Sequence, residues 1–246
     1  MPLTVLPEGQ TLDVGHTLLF PDPPLGEMYA CKLAGRGIHV SPEWVDQAFP
    51  RAWTAARDAR GGLVYGTTHE EGLAFWLEVN RRLFPPDKLS AENLAAFVAD
   101  LYDSYARAAN WRVTPALDRL LGYCRELAIP IALVSNWDQR LRGLLTELGL
   151  VDRFQALVIS AEIGIEKPDP EIFTHALHQL GTSAAGTLHV GDSWREDILG
   201  AHAVGMKTLW LAPADTVPPQ TLPRVYQADS VETLADYFAL AIDPVR

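Results

Sequence analysis

The feature that most constrains the fold is an alternation of short apolar segments and amphipathic helical segments that begins near residue 112. Short apolar strands connected by helices are typical of a parallel β-sheet covered by helices on both faces. We therefore predict an α/β fold with a doubly wound parallel sheet. The apolar runs are IPIALVS (129–135), ALVIS (156–160), TLHVG (187–191) and KTLWLA (207–212). The run at 207–212 is predicted to be the last strand, because a Pro-rich stretch typical of a surface loop follows it.

One further strand is expected before this alternation, ending at Asp13. Its sequence, GQTL, is unusual for a central parallel strand, which is normally almost entirely apolar. Gly9 and Gln10 are poor residues for a buried strand. We predict that this first strand is short or irregular.

The segment between the first strand and residue 112 has helical spacing throughout. Ser41, Thr68 and Ser90 are predicted helix N-caps, because each precedes a segment with apolar residues at intervals of three and four. The pattern indicates an inserted helical domain. The predicted boundaries are 1–20 and 112–246 for the α/β core and 21–111 for the helical insertion.

Composition limits the partners and the compartment. A formal net charge of -11 and a pI near 5.0 argue against a nucleic-acid-binding role. No stretch approaches the about 20 apolar residues of a membrane span, and the first ten residues lack the pattern of a signal peptide. Cys31 and Cys124 are far apart, so no disulfide framework is expected and a cytoplasmic location is predicted. Nothing in the sequence indicates an oligomeric state.

Polar side chains that can perform chemistry follow four of the predicted strands. Ligands of such sheets bind at the carboxyl ends of the strands. Any one of these residues could be a helix cap or a solvated surface residue, but their succession on consecutive strands indicates a common site. They are Asp13 after the first strand, Ser135 and Asn136 after the second, Lys167 in the loop after the third, and Asp192, Ser193 and Asp197 after the fourth.

Taken together, these motifs resemble those of the haloacid dehalogenase-like hydrolase superfamily. The motifs are LDVGHT (12–17), VSN (134–136), EIGIEKPDPEIF (162–173) and VGDSWREDILGAHAVGMKT (190–208). The helical insertion resembles the family's cap domain, so the likeness covers nearly the whole chain. The resemblance implies a Rossmann-like core and a hydrolase that acts on a small, phosphorylated metabolite.

The resemblance also implies a nucleophile and a metal site. Asp13 matches the family nucleophile, whose carboxylate attacks phosphorus and forms an aspartyl-phosphate. Asp192 matches a ligand of Mg2+, which Asp13 and the backbone carbonyl of Gly15 would also bind. Lys167, together with Mg2+, would neutralise the charge that otherwise repels an anionic substrate from Asp13.

Four other residues take supporting roles by the same resemblance. Ser135 matches the position that holds the phosphate, and Asn136 is expected to orient the substrate or the backbone. Thr17 is a hydroxyl near the nucleophile, with a structural or assisting role. Asp197 is expected to orient a metal-bound water.

The sequence departs from the pattern of the family's phosphatases at Gly15. Those enzymes carry an aspartate there, which protonates the leaving oxygen and then activates water. Positioned acid–base groups contribute about 100- to 10,000-fold to a rate, so this loss is substantial. His16 is expected to be a structural or solvent-facing residue rather than to replace the missing acid.

Three functions fit these residues. The first is a Mg2+-dependent phosphatase. The second is a haloacid dehalogenase, which needs no metal, or a phosphonate hydrolase, which would use Lys32 or Lys88 of the helical insertion as a Schiff base. The third is a non-catalytic binding or regulatory protein. Asp192 favours the first, because haloacid dehalogenases normally lack an acidic residue at that position.

Overall fold

The computed structural model describes residues 6–86 and 88–242. Residues 1–5, on which the expectation about a signal peptide partly rests, lie outside this range. The chain divides into two compact units. The first comprises Met1–Phe20, Val113–Asn136 and Gly149–Arg246, and the second comprises Pro21–Arg112 and Trp137–Leu148.

A six-stranded parallel sheet forms the centre of the first unit. The strands in chain order are β1 (Gly9–Leu12), β2 (Leu19–Pro21), β3 (Trp111–Val113), β4 (Ile131–Ser135), β5 (Ala156–Ile159), β6 (Thr187–Gly191), β7 (Lys207–Leu211) and β8 (Val225–Ala228). The main sheet has the order β5-β4-β1-β6-β7-β8, and β2 pairs with β3 in a separate two-stranded sheet. The predicted α/β fold with a parallel sheet is confirmed.

The described α-helices range from four to 18 residues in length. They are α1 (Leu25–Ala34), α2 (Pro42–Ala59), α3 (His69–Leu83), α4 (Ala91–Ser104), α5 (Leu117–Glu126), α6 (Arg140–Glu147), α7 (Ser160–Ile163), α8 (Pro170–Leu180), α9 (Gly200–Ala203) and α10 (Val231–Ile242). A π-helical turn spans Trp194–Leu199, and 3-10 turns span Ala108–Asn110 and Val151–Arg153. Within the described part of the chain, no helix has the length and apolar character that crossing a membrane requires.

Strand β1 is short, as predicted, and it is regular. It pairs in parallel with β4 on one side and with β6 on the other, and all four of its residues are buried. Gln10 and Thr11 are completely shielded from solvent, which is unusual for polar side chains in a central strand. The strand order reverses at β1, because the chain proceeds to β4 on one side and to β6 on the other. Such a switch point is where parallel sheets bind ligands.

The prediction that the run at 207–212 is the last strand is wrong. Strand β8 follows the Pro-rich loop and pairs in parallel with β7, with Leu209 beside Tyr226. Three of its four residues are only half-buried, as an edge strand allows. Its four-residue sequence, VYQA, is too short to show a clear periodicity.

The predicted N-caps of the helical unit are confirmed. The hydroxyl oxygens of Ser41, Thr68 and Ser90 accept hydrogen bonds from backbone N–H groups in the first turns of α2, α3 and α4. The Glu71 side chain accepts a hydrogen bond from the Thr68 backbone N–H, which completes a capping box. These caps satisfy N–H groups that a helix cannot pair internally, so they determine where each helix begins.

The boundaries of the units differ from the predicted ones at residues 137–148. The sequence pattern predicts that the core includes all of 112–246, whereas the segment that contains α6 belongs to the helical unit. Arg140 binds the Asp138 carboxylate with two nitrogens, at 2.8 and 2.6 Å, and donates to the Tyr102 carbonyl at 2.7 Å. Trp76 donates to Asp138 at 3.4 Å. These partners come from α3 and α4, and sequence spacing could not connect them to residues after β4.

Candidate active site

Asp13 lies directly after β1, at the switch point of the sheet. Its backbone N–H donates to the Val190 carbonyl at 2.9 Å, which continues the ladder between β1 and β6 by one residue. Residue 192 therefore follows a neighbouring strand at nearly the same level. This register explains why groups far apart in sequence meet here, because carboxyl ends of adjacent parallel strands share one edge of the sheet.

Lys167 contacts two carboxylates in the interior. Its ammonium donates to Asp13 Oδ1 and to Asp197 Oδ1, each at 2.6 Å, and only 3% of the residue is exposed. Burial opposes its positive charge, but the Asp13 and Asp197 carboxylates raise the pKa of Lys167 above its ordinary value. The lysine therefore remains a cation, held against the side chain that the resemblance identifies as the nucleophile.

Three aspartates form a cluster that fits a divalent cation. Carboxylate oxygens of Asp13, Asp192 and Asp197 all lie within 4.8 Å of one another. Burial, and then the Asp13 and Asp197 carboxylates, raise the pKa of Asp192 to about 8. Burial also raises the pKa of Asp13, which the Lys167 ammonium opposes. Three carboxylates thus face one ammonium in a desolvated space, and hard oxygen ligands with excess negative charge are what Mg2+ prefers.

Asp197 differs from the other two aspartates because both of its oxygens already have protein partners. Oδ1 accepts from Lys167 and lies 3.2 Å from His189 Nε2, while Oδ2 accepts from the Ser193 N–H at 2.9 Å. Burial alone would raise the pKa of Asp197, but the Lys167 ammonium and the bond to His189 lower it to about 2. A Cβ atom on Gly191 would lie 2.2 Å from Asp197 Cγ, so only glycine leaves room for this carboxylate.

Asn136 connects the loops after β4 and β5. Its amide pairs with both backbone groups of Lys167, and Nδ2 also lies 3.3 Å from Glu196 Oε2. Burial raises the pKa of Glu196. The structure therefore uses the Asn136 side chain to orient backbone, which is one of the two roles expected from the sequence.

Ser135, Thr17 and Gly15 complete the set of predicted residues. Ser135 is the last residue of β4 and is 1% exposed, and Thr17 is equally buried, with no partner for its hydroxyl within residues 6–86 and 88–242. Gly15 is half-buried and forms an isolated bridge with Leu19. All three lie in the first unit with Asp13.

Two residues near the carboxylates are not among the site residues predicted from the sequence. His189 is completely buried within β6, and Glu196 lies in the π-helical turn that follows it. His189 sits inside the apolar run TLHVG, which indicated only a strand. The acidic pair Glu196–Asp197 was a visible signal, but spacing alone could not show which of the two reaches Lys167. His16 is exposed with a left-handed backbone (φ 54°), consistent with the expectation that it faces solvent.

A Rossmann-like sheet with this cluster at its switch point is typical of hydrolases that act through a buried carboxylate. A family model of haloacid dehalogenase-like hydrolases matches residues 39–205. The chain therefore belongs to the haloacid dehalogenase-like hydrolase family, which confirms the resemblance seen in its motifs.

Individual relatives agree with this assignment. The chain is 34% identical over 230 residues to haloacid dehalogenase-like hydrolase domain-containing protein 3 of Mus musculus, covering 91% of this chain and 90% of the relative. It is 30% identical over 150 residues to phosphoserine phosphatase of Thermus thermophilus, covering 60% of each. Its fold is similar to that of L-2-haloacid dehalogenase from Xanthobacter autotrophicus, with a TM-score of 0.64, 18% identity and coverage of 97% and 99%.

Proposed function

We propose that this hydrolase is a Mg2+-dependent phosphatase of a small phosphorylated metabolite. The observation that carries the proposal is the cluster of Asp13, Asp192 and Asp197, with Lys167 bound to Asp13. Asp13, Asp192 and the carbonyl of Gly15 would hold the ion, since both oxygens of Asp197 are already engaged. When bound, Mg2+ would supply positive charge that offsets the negative charge of a phosphoryl group.

In this mechanism Asp13 is the nucleophile. A carboxylate oxygen forms a bond to phosphorus while the bond from phosphorus to the ester oxygen breaks, and the leaving alkoxide takes a proton. Water then attacks the aspartyl-phosphate, which releases inorganic phosphate and restores the carboxylate. Lys167 stabilises the charge of the transferred group, and Ser135 at the end of β4 holds its oxygens. Gly15 carries no carboxylate, so the proton for the leaving group comes from water or from the substrate.

The other activities have less support from the site. A dehalogenase has no use for a carboxylate beside its nucleophile, whereas a carboxylate oxygen of Asp192 lies within 4.8 Å of those of Asp13 and Asp197, where a cation would offset their charge. A phosphonate hydrolase needs a free, desolvated lysine in the helical unit, but the Lys32 ammonium is bound to Asp100 at 2.7 Å and Lys88 is exposed. A non-catalytic role does not explain why Lys167 is paired with Asp13.

The compartment and partners remain part of the same proposal. Cys31 and Cys124 are both free thiols, which fits a cytoplasmic enzyme. The excess of acidic residues supports a small-molecule substrate rather than a nucleic acid.

A substrate screen tests the proposal. The purified protein is assayed against a panel of phosphorylated metabolites with Mg2+ and with EDTA, and release of inorganic phosphate is measured. We expect activity only with Mg2+, and its loss in Asp13→Asn and in Asp192→Asn. Asp215→Asn, on an exposed loop of the same unit, is the matched control and should retain full activity. Chloride release from 2-chloropropionate that persists in EDTA would instead establish a dehalogenase.

A further inference from the structure

A continuous chain of buried hydrogen bonds leads from the middle of β1 to the Lys167 ammonium. Thr11 Oγ1 lies 2.8 Å from His189 Nδ1, and His189 Nε2 lies 3.2 Å from Asp197 Oδ1. The same oxygen accepts from Lys167 Nζ at 2.6 Å. Thr11, His189 and Asp197 are all completely buried. We propose that Thr11 and His189 are positioning residues that hold Asp197, and through it Lys167, in place against Asp13.

The chemistry of the partners defines the direction of each bond. A carboxylate can only accept, so His189 Nε2 must carry a proton and donate to Asp197. A neutral imidazole then has an unprotonated Nδ1, which accepts from the Thr11 hydroxyl. The Asp197 carboxylate therefore selects this tautomer, because a hydroxyl can either donate or accept, and Thr11 supplies the donor that Nδ1 then needs. The bond made by one ring nitrogen commonly determines what the other can do.

Packing fixes the imidazole in its plane. Thr11 and His189 are register partners on β1 and β6, so their side chains lie side by side on one face of the sheet. The ring of Phe173 lies nearly perpendicular to the imidazole, with centroids 5.0 Å apart. This packing and the two hydrogen bonds limit movement of the imidazole, and a donor held in this way restricts the rotation of the Asp197 carboxylate.

The same series of hydrogen bonds explains the polar sequence of β1. A buried hydroxyl without a partner is destabilising, and threonine has no advantage over valine at such a position. Thr208 provides the contrast, because it lies beside His189 on β7 and is equally buried, but its hydroxyl has no hydrogen-bond partner among the described residues. Thr11 and Thr208 therefore flank one imidazole, and only Thr11 is bound to it. This makes Thr208 a matched control.

The expected consequence is kinetic and rests on the proposed phosphatase function. Asp197 shares Lys167 with Asp13, so a mobile Asp197 would leave the ammonium held from one side only. Binding of substrate would change little, whereas stabilisation of the transferring phosphoryl group would weaken. Loss of an interaction of this kind lowers kcat with KM nearly unchanged.

Kinetics of four variants test the inference. His189→Leu should lower kcat by about 10- to 100-fold, the usual effect of losing an outer partner of a site residue. His189→Gln retains an amide donor near the position of Nε2 and should recover most of that loss. Thr11→Val should lower kcat by about 5-fold, the value of one neutral hydrogen bond. Thr208→Val, the same change on the other side of the ring, should leave kcat unchanged.

A second measurement needs no activity. In 15N spectra of the imidazole nitrogens, the His189 signals are assigned by their absence in His189→Gln. We expect a protonated Nε2 and an unprotonated Nδ1, and a shift of the Nδ1 signal in Thr11→Val but not in Thr208→Val. A protonated Nδ1 with a bare Nε2, or equal spectra for the two valine variants, would overturn the inference.

The two proposals can fail separately. A wild-type protein that hydrolyses no phosphate ester with Mg2+ defeats the proposed function. The imidazole spectra still decide whether Thr11 and His189 hold Asp197. An active wild-type protein with unchanged kcat in folded Thr11→Val and His189→Gln, and in His189→Leu where it folds, defeats the positioning role and leaves the proposed function standing.

Discussion

The Asn136 side chain binds both backbone polar groups of Lys167. Its oxygen accepts from the Lys167 N–H at 2.7 Å, and Nδ2 donates to the Lys167 carbonyl at 2.8 Å. These two bonds anchor the two peptide groups that flank the Lys167 Cα. The backbone of Lys167 is therefore fixed from β4, while its ammonium is fixed by Asp13 and Asp197.

Replacing Asn136 by alanine should remove both of these bonds and leave the Lys167 backbone less firmly held. We expect kcat of the phosphatase reaction to fall by about 10- to 100-fold, with a much smaller change in KM. Gln155→Ala is the matched control, because that side chain also donates to a backbone carbonyl, that of Gln179, but on the surface. A raised KM with unchanged kcat would contradict this and would make Asn136 a substrate-binding residue.

Binding of Mg2+ should depend on pH through Asp192. Its pKa is raised to about 8, so near pH 7 the carboxyl group of the metal-free protein is mostly protonated. The ion must displace this proton, so affinity should rise with pH and level off above about 8. Calorimetry in buffers of different ionisation enthalpy measures the proton released. Asp192→Asn should reduce both the release and the pH dependence, leaving only the part due to Asp13, whose pKa is also raised by burial.

The same shift predicts how stability of the metal-free protein varies with pH. An unfolded aspartate loses its proton near its model value of 3.8, whereas folded Asp192 retains it up to about 8. Between these values the folded state binds more protons, so this residue's contribution lowers the free energy of unfolding as pH rises. Thermal unfolding in EDTA should show this loss relative to Asp192→Asn. Equal pH dependence in the two proteins would contradict it.

Gly191→Ala should be destabilising because its Cβ would overlap the Asp197 carboxylate. We expect a loss of about 1–3 kcal/mol in the free energy of unfolding, as for other overpacked sites, together with lower activity. The control is Gly122→Ala in α5, where a Cβ meets nothing within 4 Å. That change should stabilise the protein by about 0.5–1 kcal/mol, because alanine is preferred inside helices. Denaturant unfolding of both variants tests the opposite signs.

Gly15→Asp should raise phosphatase turnover if the absent acid limits the reaction. The ceiling is about 100- to 10,000-fold, and the gain should be larger for sugar phosphates than for aryl phosphates, whose leaving groups need little protonation. Gly15→Asn has the same size but cannot exchange a proton, so it should gain nothing. An unchanged rate in a folded, Mg2+-binding Gly15→Asp protein would mean that another group supplies the proton or that the reaction is different.

Arg140→Met should strongly destabilise the helical unit. The side chain of Asp138 is 1% exposed, and removal of its partner would leave a buried charge unpaired. Breaking such a pair costs about 3–5 kcal/mol. Arg119→Met removes an arginine from an exposed pair with Asp236 and should cost at most about 1 kcal/mol. Similar losses in the two variants would show that Asp138 finds another partner or is protonated.

The residues at strand ends could be predicted from the sequence, and those inside strands could not. Asp13 and Asp192 follow recognisable strands, and parallel strands necessarily present their carboxyl ends at one edge. The partnership of Thr11 with His189 depends on the register between β1 and β6, which neither strand encodes alone. A buried histidine within TLHVG therefore looked like an ordinary strand residue.

Local signals were reliable where the interaction itself is local. Ser41, Thr68 and Ser90 cap helices because the cap and the capped N–H are at most three residues apart. Strand β8 and residues 137–148 were misassigned because long-range contacts decide them. In β8 four residues pair with β7, and in 137–148 a single arginine joins Asp138 to Tyr102.

The membership of residues 137–148 in the helical unit has a consequence for attempts to exchange domains. That unit is built from two separated stretches of chain, Pro21–Arg112 and Trp137–Leu148. A chimera that replaces only the longer stretch would retain Asp138 and Arg140 but lose the Trp76 side chain, which donates to Asp138. The two stretches form one module, and a graft of the helical unit must transfer both.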